Sequence, residues 1–143
     1  MQTTLTNALS ALNETNLLLS VLANTKATNT TYLNLSTFNI TQLPPELCLL
    51  TQLTELNLAN LSITDIDILQ CLTNLTIVNL SNTLIDDISP LAELSSLTIL
   101  DISDTPIDDI SCLKDLPNLE IIYLTNTRVI DTTMFSTKVV LIE

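Results

Sequence analysis

The chain of 143 residues has no Gly, no His and no Trp, and only 3% of its residues are aromatic. Without Gly, a turn that needs a left-handed backbone must place Asn or Asp there, because these residues tolerate that conformation best after Gly. Without His, the commonest general base and metal ligand is missing. A Gly-rich phosphate loop is also excluded. The sequence therefore predicts that the protein is not an enzyme and has no catalytic residues, metal site or cofactor.

Positive charge is also scarce, since the only basic residues are Lys26, Lys114, Arg128 and Lys138, against 16 acidic residues. The net charge of −12 would repel the phosphates of nucleic acid and the surface of an anionic membrane. We therefore expect neither as a partner. A basic protein would be attracted, although the same acidity would also simply keep a Leu-rich chain in solution.

The three cysteines, Cys48, Cys71 and Cys112, do not occur in closely spaced pairs along the sequence. Free buried thiols in a reducing compartment are the simpler interpretation, although Cys48 and Cys71 could meet on adjacent repeats and form a bridge. The apolar segment from Leu17 to Ala23 lacks the preceding basic residues of a signal peptide. We therefore expect a cytoplasmic protein.

A repeat of 22 residues runs through most of the chain. Steps of that length connect positions that are apolar in every copy, and seven such columns persist over three to five copies. Three examples, each aligned across the copies, are Leu56, Val78, Leu100 and Ile122; Ile63, Ile85, Ile107 and Val129; and Leu53, Leu75, Leu97, Leu119 and Leu141. An earlier copy around Leu33 and Leu35 is one residue longer.

Each copy combines two kinds of local pattern. An alternating segment such as Leu56-Asn57-Leu58 is typical of a strand. The run after it has apolar residues about three apart, which favours a tight helical or irregular return segment. One coil cannot bury its own Leu side, so stacked coils with a parallel sheet are expected.

These phrases, such as LTELNLANLSITDIDILQCLTN, resemble the leucine-rich-repeat family, and the period is similar to that of bacterial internalins and of the leucine-rich regulatory subunit of a protein phosphatase. The resemblance implies an α/β leucine-rich-repeat solenoid with a short parallel sheet on its concave face. We predict a helical N-terminal cap over residues 1–28, formed by one or two helices with Leu5, Leu9 and Leu12 at helical spacing, as are Leu18, Val21 and Leu22. Residues 29–143 would then form about five coils.

One column departs from the family pattern, which places Asn after the strand. Here the column contains Phe38, Leu61, Thr83, Thr105 and Thr127. We predict that the three Thr side chains form a buried row that bonds nearby backbone.

The resemblance implies that a partner binds the concave face, where outward-pointing strand residues are exposed. Ile77, Ile99 and Ile121 would form an apolar stripe there, although Ile also simply suits strands. Tyr123 adjoins them, and Tyr is favoured in interface cores. The predicted partner-binding residues are Tyr32, Glu55, Asn57, Ile77, Asn79, Ile99, Asp101, Ile121 and Tyr123.

On the return side, Asp65, Asp87, Asp109 and Asp131 recur in register. Stacked carboxylates could hold Ca²⁺ or bind a basic partner. The alternative is that each one accepts backbone hydrogen bonds at a turn, and the recurrence in every coil favours this structural role.

The function predicted from the sequence is a protein–protein interaction module. Two alternatives stay open. One is a secreted or host-directed bacterial effector that uses the same face, as the similarity to internalins implies. The other is a self-assembling structural unit, a homo-oligomer joined through the C-terminal strand Val139–Glu143, which has no coil after it.

Overall fold

A computed structural model describes residues 2–135 and 139–142 and, of these, the side chains from residue 12 onward. Leu5, Leu9, Lys138 and Glu143, which entered the predictions above, therefore lie wholly or in their side chains outside the described residues. The chain begins with one helix, α1 (Gln2–Ala27), followed by six short strands. The strands are β1 (Tyr32–Asn34), β2 (Glu55–Asn57), β3 (Ile77–Asn79), β4 (Ile99–Asp101), β5 (Ile121–Tyr123) and β6 (Val140–Ile142).

The six strands form one parallel sheet in chain order. The residue at the centre of each described strand from β1 to β5 is buried, while its two neighbours point to the other side of the sheet. This alternation follows from the strand pleat, which sends successive side chains to opposite faces. The predicted α/β leucine-rich-repeat solenoid with an N-terminal helix is confirmed.

Four short 3₁₀ helices carry the chain back between strands: Pro45–Leu49, Asp67–Cys71, Ser89–Glu93 and Ser111–Leu113. Each buries one Leu at its centre or end, from Leu47 to Leu113. Leu and Ile from strands, turns and returns join in one continuous core along the stack. The spacing of about three in the return segments is thus the period of the 3₁₀ helix.

Asn and Asp occupy the left-handed turn positions, as expected for a chain without Gly. Positive φ angles occur at Asn29, Asn60, Asn82, Asp104 and Asn126, between 52° and 64°. Four of these residues occupy the same position of successive coils, three residues after the end of the strand. The tight turn there is therefore built by Asn or Asp, whose short polar side chains tolerate the left-handed region.

The predicted Thr row is also confirmed. The hydroxyls of Thr83, Thr105 and Thr127 donate to the carbonyl oxygens of the residues three positions earlier, at 2.7, 2.6 and 2.8 Å. Thr83 and Thr105 are each 3% exposed, and Thr127 is half-buried. Each hydroxyl thus bonds a backbone carbonyl of its own turn.

The prediction for the last coil was wrong. Leu141 does not continue the column of Leu119 but pairs with Ile122 at the centre of the neighbouring strand. Nineteen residues separate these two positions, whereas 22 separate Leu100 from Ile122. Because Leu fits both columns, the step of 22 produced a false match. The earlier copy around Leu33 is one residue longer, as predicted, since Leu33 pairs with Leu56.

Helix α1 rests on the first coil. Leu18 and Leu22 are buried at 4% and 3% exposure. The Lys26 ammonium donates to the carbonyl of Leu49, and the Gln52 amide donates to the Thr25 carbonyl at 3.2 Å. The helix therefore covers the first coil, which has no coil before it. The division between residues 28 and 29 stays a prediction.

Candidate protein-binding face

The face of the sheet away from the core, here called the outer face, carries side chains in straight rows. Strand pairing places the residues of the first row side by side, one from each strand. This row is here called the apolar row, because most of its members are apolar. It begins with Tyr32 and Glu55 and continues with Ile77, Ile99, Ile121 and Val140. The sequence predicted the first five members in this register.

The three Ile side chains of the apolar row are half-buried, whereas Val78, Leu100 and Ile122 beside them are at most 1% exposed. The Ile side chains thus point away from the core, as predicted. They shield one another because parallel strands stand about 4.8 Å apart. Their exposed edges give the outer face a contiguous apolar band, and the role of this band in binding stays a prediction.

Sequence reasoning missed two members of the outer face. Val140, next to Ile121, is 54% exposed, and Ile142, next to Tyr123, is 37% exposed. Their alternation with Leu141 was a sufficient signal for a strand, but the assumed repeat length placed them in the wrong rows. They extend the apolar band by one strand.

The second row has a structural task that the sequence did not reveal. The side-chain oxygens of Asn34, Asn57, Asn79 and Asp101 each accept the backbone N–H two residues later, at 2.9 to 3.0 Å. Such Asx turns end the strand and start the turn. Asn57, Asn79 and Asp101 were predicted as partner-binding residues. One side-chain oxygen of each is therefore already bonded to the backbone. Tyr123 replaces the Asx residue in this row, and its ring is half-buried beside the apolar band.

A row of Thr residues flanks the outer face at the start of the strands. The hydroxyls of Thr76 and Thr98 donate to the carbonyls of Thr54 and Thr76, at 3.0 and 2.8 Å. The next position of this row is Glu120, which is exposed. The hydroxyls therefore join successive coils, and the row continues with an exposed carboxylate at Glu120.

Negative charge surrounds the apolar band. Glu55 lies in the apolar row, Asp101 ends β4, Asp104 follows it in the turn, and Glu120 precedes β5. The basic residues in the described part of the chain, Lys26, Lys114 and Arg128, lie in α1 and in the segments between strands. An apolar band with acidic neighbours is complementary to an apolar segment with basic neighbours.

The Asp column on the return side forms turns. The carboxylates of Asp65, Asp87, Asp109 and Asp131 accept the backbone N–H two residues later, at 2.7 to 3.0 Å. The Ser111 N–H lowers the pKa of Asp109, and the Thr133 hydroxyl and N–H lower that of Asp131. Within residues 2–135 and 139–142, no three carboxylates or thiols come close enough to hold a metal ion. The geometry thus favours the structural interpretation of these Asp residues over a Ca²⁺ site.

Two of the three cysteines are bonded. Cys48 and Cys71 form a disulfide, with their Cα atoms 5.4 Å apart, so the expectation of free thiols was wrong for this pair. Their positions in successive 3₁₀ helices bring them together. Cys112 stays a free thiol, and its burial raises its pKa to about 11, with repulsion from Asp109 and Asp87 adding to the effect. A thiol with such a pKa is protonated at neutral pH and is a poor nucleophile.

Among the described helices, none combines the length and the apolar character that crossing a membrane would require. The 26 residues of α1 include several Thr and Asn residues.

Comparison with known proteins supports the fold independently. A family model described as leucine-rich repeats matches residues 51–93 and 95–136, together more than half of the chain. No curated protein sequence matches the chain.

Among the similar solved structures are two from bacteria. Internalin C2 of Listeria monocytogenes is 34% identical over 82% of this chain, with a TM-score of 0.73. A leucine-rich-repeat protein of Leptospira interrogans is 27% identical over 70% of this chain, with a TM-score of 0.64. The matches cover 52% and 26% of those two chains, so this chain spans about half the length of internalin C2. The chain thus resembles bacterial internalins.

Proposed function

Because the chain belongs to the leucine-rich-repeat family, we propose that it is a protein-interaction module whose partner binds the outer face of the sheet. Members of this family generally mediate binding between proteins. The observation that carries the proposal is the apolar band, in which Ile77, Ile99 and Ile121 stand side by side in register. These positions are free to vary because they contribute little to the core. The proposal is therefore a binding function without catalysis.

The centre of the proposed site is at β4 and β5. Ile99 and Ile121 there have Ile77 on one side and Val140 on the other, and Tyr123 lies on the same strand as Ile121. A few large side chains near the centre of an interface usually contribute most of the binding energy, and Tyr is favoured among them. The Asx residues at the edge would contribute shape and a limited number of hydrogen bonds.

We further propose that the partner presents basic residues around an apolar segment. Glu55, Asp101, Asp104 and Glu120 would lie at the rim of the interface, where charge mainly accelerates association and selects the partner. Raised ionic strength would then slow association more than it speeds dissociation.

The alternative of a secreted or host-directed effector is favoured by one observation, the Cys48–Cys71 disulfide. Disulfides persist in oxidising environments and are rare in the cytosol. The similarity to bacterial internalins supports the same alternative. A cytoplasmic location stays a prediction, and the disulfide weighs against it.

The experiment compares capture of partners from the source organism, and from the medium around it, by three forms of the chain. These forms are the wild type, the double variant Ile99→Glu/Tyr123→Ala, and the control Ile130→Glu. Ile130 is 96% exposed and lies in a turn outside the sheet, so the control adds the same charge away from the proposed site. Circular dichroism would verify that all three are folded.

We expect a partner whose affinity falls at least about tenfold with the double variant and is unchanged with Ile130→Glu. Binding that survives the double variant, or that both variants weaken equally, would place the interaction elsewhere. Location is tested separately by measuring where the chain is found relative to the cell that makes it.

A further inference from the structure

The disulfide joins two successive coils near the N-terminal end of the stack. Cys48 belongs to the first 3₁₀ helix (Pro45–Leu49) and Cys71 to the second (Asp67–Cys71). The first of these helices is also the part of the stack on which α1 rests. The disulfide therefore ties α1 and the first coil, here called the N-terminal unit, to the second coil.

The junction that the disulfide crosses lacks a connection found at the later junctions. After β2, β3 and β4, the backbone N–H groups of Asn60, Asn82 and Asp104 donate to carbonyls of the next coil, at 2.8 to 2.9 Å. The Asn82 amide also donates to Asn60, and the Asn126 amide to Asp104, at 2.9 and 2.8 Å. The three junctions between β2 and β5 thus each have a backbone bond in the turn.

The first coil has Thr37 at this position. Thr37 is not among the residues with positive φ, and within residues 2–135 its N–H makes no bond to the second coil that corresponds to those of Asn60 and Asn82. The first junction therefore relies on strand pairing, apolar packing, the disulfide and a side-chain bond from the Thr54 hydroxyl to the Thr31 carbonyl at 3.4 Å.

We propose that the Cys48–Cys71 disulfide is a redox-sensitive latch on the N-terminal unit. A reducing dithiol breaks the S–S bond, donates two electrons and two protons to give two cysteine thiols, and itself closes to a disulfide. Both cysteines are half-buried, so a reductant has access to them. Without the bond, the N-terminal unit opens locally while the later coils stay folded.

The opening is local because each coil of a solenoid contacts only its neighbours, and terminal units are the first to separate. The disulfide closes a loop of more than 20 residues between Cys48 and Cys71, and such a crosslink restricts mainly the open state. Separation would uncover the apolar side of the second coil, including Leu56 and Leu58, which are 2% and 0% exposed in the closed stack.

The test is hydrogen exchange of the whole chain, followed by mass spectrometry, with and without dithiothreitol. The variant Cys112→Ser is the background, because it removes the third cysteine and leaves the latch intact. The double variant Cys48→Ser/Cys71→Ser lacks the disulfide, so its N-terminal unit would open without a reductant. Since reduction acts on an already folded chain, the test does not depend on whether the double variant folds.

We expect reduction to speed exchange at least about tenfold in residues 12–53 and by less than about twofold in residues 77–124. Equal acceleration along the chain would mean that the bond supports the whole stack, and the latch would be rejected. Unchanged exchange would reject it too, as would finding three free thiols in the untreated wild type.

Discussion

At the scale of single residues, Asn and Asp perform two tasks in each of the coils that contain β2, β3 and β4. One residue of the strand accepts the N–H two positions later, as Asn79 does from Ser81. Another, such as Asn82, adopts the left-handed conformation in the turn, three residues after the strand ends. These tasks explain why a chain without Gly is rich in Asn.

Replacement of Asn82 by Ala is expected to lower the free energy of unfolding by about 1–2 kcal/mol, because a Cβ-bearing residue without a polar side chain is disfavoured at positive φ. Asn82→Gly removes the same side chain but tolerates φ of 54°, so it is the matched control and should cost less. Urea unfolding measures both. If Gly proved as costly as Ala, the side-chain bond from Asn82 to Asn60 would be the larger contribution.

The residue scale also shows which part of the candidate site a sequence can reveal. The rows of Ile77, Ile99 and Ile121 follow from a constant step, because parallel strands in register place equivalent residues side by side. The Asx turn of Asp101 does not follow from that step, since an outward polar residue can either meet a partner or bond its own backbone. The Cys48–Cys71 pairing was an open alternative, because it depends on a Cα separation that spacing alone does not determine.

At the scale of elements, the strands and returns were predictable wherever the step stayed constant, whereas β6 was predicted as a strand but in the wrong register. The coil between Ile122 and Leu141 is three residues shorter than the one before it. Because both neighbouring columns contain Leu, a Leu at position 141 does not reveal that this coil is shorter. Helix α1 was predicted as one or two helices, and the structure has one, since Ser, Thr and Asn within it weaken a helix without ending it.

The buried side of α1 should be essential for covering the first coil. Leu22→Ala is expected to lower the free energy of unfolding by about 2–4 kcal/mol, because it leaves a cavity in the core. Leu17 is 57% exposed on the same helix, so Leu17→Ala is the matched control and should change little. Chemical denaturation would compare the two variants. A similar loss from both would show that α1 packs in another orientation.

At the scale of the whole molecule, stability is distributed along the stack. Each strand pairs only with the preceding and the following one, and the core continues through all coils. The protein is thus close to a one-dimensional array in which neighbouring interfaces contribute in turn.

Removal of residues 78–99 takes out one repeat of 22 residues and would place Leu100 beside Leu56. We expect this shorter chain to fold and to unfold at a lower urea concentration, because one interface is lost. Circular dichroism during urea titration measures this. Removal of residues 78–88 alone puts the apolar and polar columns out of phase, and this control is expected not to fold. A folded control would contradict the assumed register.

The constant register of the middle strands has a genetic consequence. Similar stretches of a gene recombine with one another, and an exchange that is offset by one repeat adds or removes a whole coil without disturbing those around it. The width of the outer face can therefore grow or shrink in single steps during evolution. Its chemistry can change separately, by point mutation at Ile77, Ile99 or Ile121, so a lineage of such proteins could acquire new partners on an unchanged scaffold.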